Sequence, residues 1–464
     1  MNKKLRNILK FEQGAVFKKR RAEIEIALIF PNTYHLGMSS LSIHLFYSRI
    51  NKRQDACCER VFDFKELKSP LSLENQRPLE AFDILAVSIS FESDYLNFVQ
   101  MLKKSRVEQL SKNRNLPLII VGGIMTQINR EPLSDFVDAF VLGDGEETLD
   151  RILDIYLQFK KNNFKIKKAE FLHKLAEIPG VYVPQINNVC RPVEIKDLDK
   201  FPAHSCIVTP NTEFENSFLV ELSRGCRYQC KFCVLSGVLP GMRYRSLACV
   251  MESIEQGLML TKRVGLLAAA VSDYPHILDL TVQLIKRKIA VSTSSLRIDS
   301  TTAELIKNLV RLGQKTITFA PETGSESLRM KLGKQITNAA IIKKIETAKY
   351  LGVKSLKLYF MIGLPQETMK DIDEIISLVK IINLILKIKV SITVFVPKPH
   401  TGFENERFIA KDEFINKIKH IKKNLISQRN ITIVIDNYQC AKVQHLVDYA
   451  GKDYFYNILN MSRL

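Results

Sequence analysis

The sequence predicts an α/β protein built from two successive parallel-sheet domains. Short apolar segments alternate with amphipathic helical stretches in two long runs, a pattern typical of parallel sheets covered by helices. The 464 residues exceed the length of one ordinary domain, so each run is interpreted as a separate domain. A loop with three closely spaced cysteines follows the first strand of the second run, at the edge where parallel barrels place their chemistry.

Residues 22–160 predict a doubly wound sheet of Rossmann type, preceded by an N-terminal extension over residues 1–21. The predicted strands are 23–30, 82–90, 116–123 and a segment that begins at 138 and leads into a helix by 147. A helical stretch over 39–50 follows the first strand, and another helix-like segment lies between the strands at 82–90 and 116–123. Ligands of such sheets bind at the carboxyl ends of the strands.

Residues 214–427 repeat the alternation of strand and helix six times. The predicted strands are 217–223, 265–272, 289–297, 316–320, 353–363 and 390–397, and helical stretches lie at 247–262, 276–287, 301–312, 337–351 and 370–385. Residues 161–213, lysine-rich at their start and containing several prolines, are interpreted as a linker region with some structure of its own. Residues 428–464 form a C-terminal extension with one more strand candidate, ITIVID, and an aromatic tail.

The composition indicates a soluble globular protein of a reducing compartment. Hydrophobic residues make up 46% of the chain and charged residues 25%. No run of 18 apolar residues occurs and the N-terminus lacks the apolar core of a signal peptide, so we expect a cytoplasmic protein without a membrane partner. Nine scattered cysteines, an odd number, do not form a disulfide framework.

The net charge of +19 would attract a polyanion such as RNA. Lysine is nevertheless spread over the whole chain, together with abundant Ile and Asn. This distribution favours a compositional bias over a focused nucleic-acid-binding surface.

Cys226, Cys230 and Cys233 form a C-x3-C-x2-C motif. Thiolates ligate soft or borderline metals, either in an iron–sulfur cluster or at a zinc ion. A structural zinc site prefers a fourth Cys or His at short range, and none follows within a dozen residues. A cubic cluster needs four ligands, so three cysteines leave one iron open. The motif therefore favours a cluster with an open iron.

The segment SRGCRYQCKFCVLSG resembles the cluster loop of the radical S-adenosylmethionine (SAM) enzymes, including the aromatic Phe232 before the third cysteine. The resemblance implies that Cys226, Cys230 and Cys233 ligate a [4Fe-4S] cluster and that Phe232 lines the adenine pocket. It also implies a partial (β/α)6 barrel. In this family the open iron binds the amino and carboxylate groups of SAM. An electron from a donor such as ferredoxin or flavodoxin then yields a 5′-deoxyadenosyl radical.

The fifth predicted barrel strand ends in a second motif. Residues 359–368 resemble the family's Gly-x-Pro motif, which assigns Ile362, Gly363 and Pro365 to SAM binding. Glycine allows close backbone approach to a ligand because it lacks a β-carbon. The alternative is a strand-to-helix turn in which Gly and Pro only end the strand.

Other strand ends supply polar candidates. Glu322 ends the fourth strand in a context similar to the methylthiotransferase-like branch of the family and is the candidate catalytic carboxylate, with a charge at a helix N-terminus as the alternative. Arg297 after the third strand is expected to hold the SAM carboxylate, or else to form a structural salt bridge. The family's Gly-Gly-Glu after the second strand is absent. By chemical analogy, Ser272 and Asp273 at that place offer oxygen acceptors to the SAM ammonium.

The N-terminal domain resembles the cobalamin-binding domain of one branch of the family. Where that domain carries Asp-x-His-x-x-Gly, this sequence has Asn32 for Asp and Tyr34 for the cobalt-ligating His, and His35 is one position out of register. The resemblance continues at Ser88 and Ser90, at Gly122–Gly123 and at residues 143–147. Two hypotheses stay open, namely a corrin pocket without the lower histidine and a degenerate domain kept for packing or substrate capture.

The sequence predicts a radical SAM enzyme that abstracts hydrogen from an unidentified substrate, with methyl transfer if cobalamin binds. A methylthiotransferase acting on tRNA or protein is the alternative enzyme. The N-terminal domain, however, lacks three cysteines suited to an auxiliary cluster, since residues 22–160 contain only Cys57 and Cys58. A non-catalytic iron–sulfur sensor or carrier is the alternative from another class.

Overall fold

The computed structural model describes residues 2–16, 22–161, 168–186, 189–239 and 241–455. The chain forms two compact units, the first comprising Met1–Phe218 with Leu446–Leu464 and the second comprising Leu219–His445. Parts of the predicted N-terminal extension, linker and aromatic tail lie outside the described residues. Within the described part of the chain, no helix combines the length and the apolar character needed to cross a membrane.

The first unit is built on one six-stranded sheet in the order β2-β1-β3-β4-β5-β6. Its strands are β1 (Ile24–Phe30), β2 (Ala56–Phe62), β3 (Ile84–Ser88), β4 (Leu118–Gly122), β5 (Ala139–Val141) and β6 (Val181–Tyr182). Its helices are α1 (Lys3–Leu9), α2 (Tyr34–Gly37), α3 (Leu41–Lys52), α4 (Glu92–Lys104), α5 (Met125–Ile128), α6 (Glu146–Lys161) and α7 (Lys168–Ala176). All neighbouring strands are parallel except β6, which pairs antiparallel with β5. The predicted doubly wound sheet is confirmed.

Both faces of this sheet are buried. Ile26 and Leu28 pack with residues of α3, α6 and α7 in one apolar cluster, while Ala27 and Ile29 on the opposite face are fully buried as well. Apolar side chains at consecutive positions are what a parallel strand covered on two sides requires. The chain order reverses between β1 and β3, and the carboxyl ends at such a reversal are the usual ligand site of the fold.

Strand β2 was not predicted because it contains a charged pair of residues, Glu59 and Arg60. Arg60 is fully buried, with its guanidinium held by Glu12 at 2.7 Å and Glu74 at 2.6 Å. Burying a charged side chain costs free energy unless the charge is paired and hydrogen-bonded. Both partner carboxylates lie outside the short stretch of sequence around Arg60 from which a strand would be predicted. The strand therefore depends on tertiary partners that periodicity does not reveal.

The second unit contains two parallel sheets, in the orders β11-β10-β7 and β12-β13-β14-β15, and a two-stranded antiparallel ribbon, β8-β9. Its strands are β7 (Phe218–Glu221), β8 (Ser223–Arg224), β9 (Arg243–Tyr244), β10 (Arg263–Leu267), β11 (Ala290–Thr293), β12 (Thr316–Glu322), β13 (Ser355–Ile362), β14 (Lys387–Val394) and β15 (Ile431–Ile435). Its helices are α8 (Val234–Val238), α9 (Leu247–Gly257), α10 (Ile277–Lys286), α11 (Ala303–Arg311), α12 (Glu326–Lys331), α13 (Asn338–Tyr350), α14 (Met369–Ile385) and α15 (Lys411–Leu425), and α16 (Tyr438–Asp448) follows. A parallel bridge between Leu296 and Phe319 links the two parallel sheets, as expected for a partial barrel.

Three boundaries differ from the prediction. The strand predicted at 265–272 ends at Leu267, and Val271–Asp273 form a 3-10 turn that redirects the chain. The first five residues of the segment ITIVID form β15, which pairs parallel with β14 within the second unit. The described part of 161–213 belongs to the first unit, where Val181–Tyr182 extend its sheet.

Candidate active site

The cysteine loop lies between β8 and β9, directly after the first barrel strand. Cys230 is 7% exposed, Cys226 and Cys233 are partly exposed, and all three are free thiols. The backbone N–H of Cys233 donates to the Cys230 carbonyl at 2.9 Å, and the Ser236 hydroxyl donates to the same carbonyl at 3.0 Å. The local hydrogen bonds thus hold the second and third cysteines in one turn.

The three thiols are the donor set of an iron–sulfur cluster with one open iron. Burial raises the pKa of the Cys233 thiol, and the nearby Cys230 and Cys226 act in the same direction. Three thiolates in one loop therefore need a cation to compensate their charge. Among the described residues, no three His, Cys, Asp or Glu side chains converge closely enough to hold one metal ion. In a cubic cluster each cysteine binds a different iron, so its sulfurs lie further apart than the ligands of one ion.

Neighbouring loops brace the cysteine loop from two sides. The Lys231 N–H donates to the Leu332 carbonyl at 3.1 Å. A Cβ added at Gly237 would lie 1.9 Å from the His400 carbonyl oxygen, so α8 packs directly on the loop after β14. Phe232 packs against an apolar cluster that includes Leu332. The aromatic side chain is thus partly buried next to the cysteines in the loop, and its contact with adenine stays a prediction.

Arg297 reaches the cysteine loop from the end of the third barrel strand. Its Nη1 is 3.8 Å from Cys230 Sγ, and its Cζ lies 3.4 Å from the centre of the Tyr228 ring. Its Nε and Nη2 donate to Asp299 Oδ2 at 3.1 and 2.9 Å. The structure therefore places Arg297 against a proposed cluster ligand, and its contact with a SAM carboxylate stays a prediction.

One buried carboxylate oxygen of Asp273 has no hydrogen-bond partner in the part of the chain that the structure describes. The side chain is 1% exposed, its Oδ1 accepts from the Tyr228 hydroxyl at 3.1 Å and pairs with Arg227, and its Oδ2 accepts no hydrogen bond from any described residue. An unsatisfied buried carboxylate oxygen costs free energy unless a ligand supplies a donor. An ammonium group of a ligand would satisfy it.

Ser272 is differently placed. Its hydroxyl lies 2.9 Å from the Ser300 hydroxyl and accepts from the backbone N–H of Arg297 at 3.1 Å. These contacts connect the ends of the second and third barrel strands. Ser272 thus positions the backbone of Arg297, and direct SAM binding by its hydroxyl stays a prediction.

Glu322 ends β12 at a β-bulge, with a φ of 68° and 8% exposure. Its carboxylate pairs with Lys334, whose Nζ also donates to the Ala320 carbonyl at 2.9 Å. The same Nζ lies 5.8 Å from the centre of the Phe232 ring. A residue other than Gly in the left-handed region is uncommon and is often associated with functional sites. The pair therefore connects the fourth strand to the cysteine loop.

The predicted Gly-x-Pro site presents mainly backbone. Ile362 is fully buried. Its carbonyl oxygen accepts a hydrogen bond from the Phe395 N–H at 2.8 Å, so this oxygen already has a partner within the barrel. Gly363 has a φ of +90°, and its N–H donates to Glu367 Oε2 at 2.8 Å. Pro365 lies in the turn that follows and is partly buried. Their contacts with SAM stay a prediction.

Sequence reasoning missed Lys334, Asp299 and the pair Arg227–Tyr228. The last two lie inside the cysteine motif, which was the available signal. The roles of Lys334 and Asp299 depend on contacts with Glu322 and Arg297, which are not visible in a local sequence pattern.

The carboxyl edge of the first unit has its own polar cluster at the β1/β3 reversal. The Asn32 side-chain amide donates to Asp94 Oδ1 at 2.9 Å, and Asp94 Oδ2 accepts the N–H groups of Ser90 and Phe91 at 2.9 Å. Burial raises the pKa of Asp94 to about 6. Ser88 lies beside this cluster, with its hydroxyl 3.1 Å from that of Ser42.

The residue at the motif's histidine position points into the protein core. Tyr34 is 5% exposed and its hydroxyl donates to Glu12 Oε1 at 2.6 Å. His35 is exposed in α2. Leu36 and Phe91, in the segments after β1 and β3, are 40% and 46% exposed. The edge thus exposes two apolar side chains, while the buried Tyr34 cannot act as a histidine-like ligand to a metal.

Two family profiles match the chain. The profile described as "Radical SAM proteins, N-terminal" matches residues 42–184, and the "Radical SAM superfamily" profile matches residues 220–379. An uncharacterized protein of Methanocaldococcus jannaschii is 31% identical over 421 residues, which cover 89% of this chain and 86% of that protein. An uncharacterized methyltransferase of Pyrococcus horikoshii is 24% identical over 321 residues, covering 65% of this chain and 67% of the relative.

Solved structures share the fold. The radical SAM methyltransferase TsrM of Kitasatospora setae, with cobalamin and a [4Fe-4S] cluster bound, superposes with a TM-score of 0.56 at 12% identity over 82% of this chain and 74% of TsrM. The cobalamin-dependent SAM radical enzyme OxsB gives a TM-score of 0.54 at 15% identity over 95% of this chain. The matched region is 61% of OxsB, so this chain spans less than two thirds of that enzyme.

These matches agree with the partial barrel, and they extend over both units of the chain. The [4Fe-4S] cluster and SAM are the cofactors of this superfamily, and its members require a reductant. The expected likeness to the methylthiotransferase-like branch stays a prediction. The chain belongs to the radical SAM superfamily of enzymes.

Proposed function

We propose that Cys226, Cys230 and Cys233 ligate three irons of the [4Fe-4S] cluster and that SAM occupies the fourth. The observation that carries this proposal is the buried Oδ2 of Asp273, which has no hydrogen-bond partner among the described residues and lies beside a loop of three free thiols. Together they provide ligands for the cluster and an acceptor for the SAM ammonium. When bound, the cluster supplies the electron that cleaves SAM to methionine and the 5′-deoxyadenosyl radical.

The remaining candidates have distinct roles in this proposal. Phe232 and the backbone at Gly363 border the adenine in this proposal. Phe232 is partly buried against the apolar cluster beside the cysteine loop, and Gly363 ends the fifth barrel strand with a φ of +90°. Glu322, held by Lys334, is the carboxylate available to SAM or substrate at the end of β12. Arg297 stabilises negative charge at Cys230. A small acidic electron-transfer protein such as ferredoxin or flavodoxin would suit a protein with a net charge of +19 as reductant.

The first unit is proposed to bind cobalamin without a protein ligand to cobalt from below. The β1/β3 reversal, the exposed Leu36 and Phe91 and the hydroxyls of Ser42 and Ser88 fit the face and the polar rim of a corrin. TsrM and OxsB, which share the fold, are described with cobalamin bound, and a relative is described as a methyltransferase. Methyl transfer to an unactivated carbon is then the proposed outcome.

The test of the cluster proposal is anaerobic reconstitution followed by an assay of 5′-deoxyadenosine with dithionite and SAM. The wild type should form the product, and Cys230→Ala should not. Cys440→Ala, which removes an exposed thiol outside the motif, is the matched control and should behave as the wild type. Undiminished product in Cys230→Ala would refute the ligand assignment.

Cobalamin binding needs a separate test. The protein is reconstituted with hydroxocobalamin, separated from free corrin by gel filtration and examined by absorption spectroscopy. We expect stoichiometric retention in the wild type and loss in Phe91→Asp, which places a charge on the proposed apolar face. Retention that is equal in both proteins would contradict the proposed corrin site. An absence of retention in the wild type would favour the degenerate-domain hypothesis.

A further inference from the structure

The inner face of the β12-β13-β14-β15 sheet leads to the cysteine loop. The even-numbered residues of 356–362 are at most 1% exposed, whereas those between them are partly exposed. Because alternate side chains of a strand point to opposite faces, Lys357, Tyr359 and Met361 share the inner face. Met361 packs against the same apolar cluster as Phe232 of the cysteine loop. A ligand on this face could therefore extend from the thiols down the strand.

This inner face carries a polar row. The register pairs Lys357 with Thr318 on one side and with Lys389 on the other, and Lys389 with Thr432. None of these four residues is buried. Closed parallel barrels fill the same positions with Val, Ile and Leu. The row is thus suited to solvent or a polar ligand rather than to core packing.

Lys357 and Lys389 are like charges at directly paired positions, an arrangement that destabilises a sheet. Neither lysine forms a salt bridge with any residue that the structure describes, although Lys357 Nζ lies 4.8 Å from the centre of the Tyr359 ring. Asp436 is a carboxylate close enough to Lys357 to interact with it electrostatically. Burial raises its pKa and Lys357 opposes that rise, but the two side chains are not in salt-bridge contact. Asp436 therefore offsets part of the charge of Lys357 without a direct ion pair, and Lys389 has no ion-pair partner among the described residues.

The inner face of the β11-β10-β7 sheet carries a buried hydroxyl without a hydrogen-bond partner among the described residues. Val291 of β11 is 5% exposed, which places the neighbouring Ser292 on the inner face. Ser292 Oγ is buried and has no hydrogen-bond partner among the described residues. A ligand with oxygen atoms would satisfy such a hydroxyl.

We propose that Lys357 and Lys389 bind an anionic group of the substrate, either a carboxylate or a phosphate. Lys357 precedes Met361 by four residues on β13, which is roughly 13 Å at about 3.3 Å per residue. The anion would thus anchor one end of a substrate whose other end reacts near the cysteine loop. The position of the reacting end near the cysteine loop rests on the proposed function, whereas the binding of an anion by the two lysines does not.

The experiment compares Lys357→Gln/Lys389→Gln with Lys343→Gln/Lys349→Gln, which removes the same charge from exposed positions on α13. Inorganic phosphate and succinate are titrated calorimetrically into the reconstituted protein without SAM, at constant ionic strength. The wild type and the α13 variant (Lys343→Gln/Lys349→Gln) should bind at least one of the two anions with equal affinity. The barrel variant (Lys357→Gln/Lys389→Gln) should bind that anion at least tenfold more weakly. The absorption spectrum of the iron–sulfur cluster should be the same in the barrel variant as in the wild type, which would show that the barrel variant is folded.

Tighter binding of phosphate would identify a phosphate group and tighter binding of succinate a carboxylate. Equal anion affinity in the barrel variant and the wild type would overturn the proposal, as would an absence of binding to the wild type. Formation of 5′-deoxyadenosine by the wild type is measured separately. Failure of that assay would count against the proposed function and not against the anion site.

Discussion

The guanidinium of Arg297 lies 3.8 Å from the sulfur of Cys230 and stacks at 3.4 Å on the ring of Tyr228. A cation beside a cluster sulfur stabilises the more negative, reduced state of the cluster. Asp299 fixes the other edge of the guanidinium, so the group cannot rotate freely towards a ligand. Arg297 is therefore expected to tune the cluster electrostatically.

The first prediction concerns the reduction potential. Arg297→Gln should make the midpoint potential of the cluster more negative, because the positive charge beside Cys230 is lost. An EPR-monitored redox titration checks this. Arg287→Gln, at an exposed residue paired with Glu255, should leave the potential unchanged. An unchanged potential in Arg297→Gln, together with weaker SAM binding, would instead support the contact with the SAM carboxylate.

The second prediction concerns Asp273. Asp273→Asn should weaken SAM binding by roughly 10- to 100-fold, since a hydrogen bond to a charged group contributes about 1.5–3 kcal/mol. Calorimetric titration of SAM into reconstituted protein measures the effect. Asp279→Asn removes an exposed carboxylate from the nearby α10 and is the control. Equal SAM affinity in Asp273→Asn and the wild type would exclude Asp273 as the ammonium acceptor.

Much of the fold could be predicted because its strands are apolar on both faces, as in β1 and β4. The sequence did not indicate β2, whose Arg60 is buried through Glu12 and Glu74, or the pairing of β15 with β14. The cysteine motif was visible because its three ligands are close in sequence. The contacts of Arg297 with Cys230 and of Lys334 with Glu322 join segments from different strands, so they become visible only in the folded chain.

The third prediction is a pH effect on stability through Asp94. Burial raises the pKa of its carboxyl to about 6 in the folded chain. The folded state therefore holds this proton more tightly than the unfolded state, and the stabilisation is lost as pH rises from about 4 through about 6. The free energy of unfolding changes through this group by at most roughly 3 kcal/mol. Urea unfolding at pH 4.5 and 6.5 should show a smaller pH dependence in Asp94→Asn than in the wild type. An identical dependence would contradict this interpretation.

The fourth prediction concerns Gly123 at the end of β4. Its φ is +106°, and an added Cβ would lie 2.2 Å from the Ile89 carbonyl oxygen. Gly123→Ala should therefore destabilise the protein by about 1–3 kcal/mol, measured by urea unfolding. Gly241→Ala is the control, because a Cβ there meets nothing within 4 Å. Equal unfolding midpoints for the two variants would show that the loops after β3 and β4 can move apart without a loss in the free energy of unfolding.

The central claim is that the three cysteines of one loop hold a cluster whose open iron binds SAM. The most direct measurement is the EPR spectrum of the dithionite-reduced, reconstituted protein before and after addition of SAM. We expect the cluster signal to shift with SAM in the wild type and in Cys440→Ala, and to be lost or unresponsive to SAM in Cys226→Ala, Cys230→Ala and Cys233→Ala. A SAM-dependent shift that persists in any of these three variants, or a wild-type signal that SAM does not change, would contradict the claim.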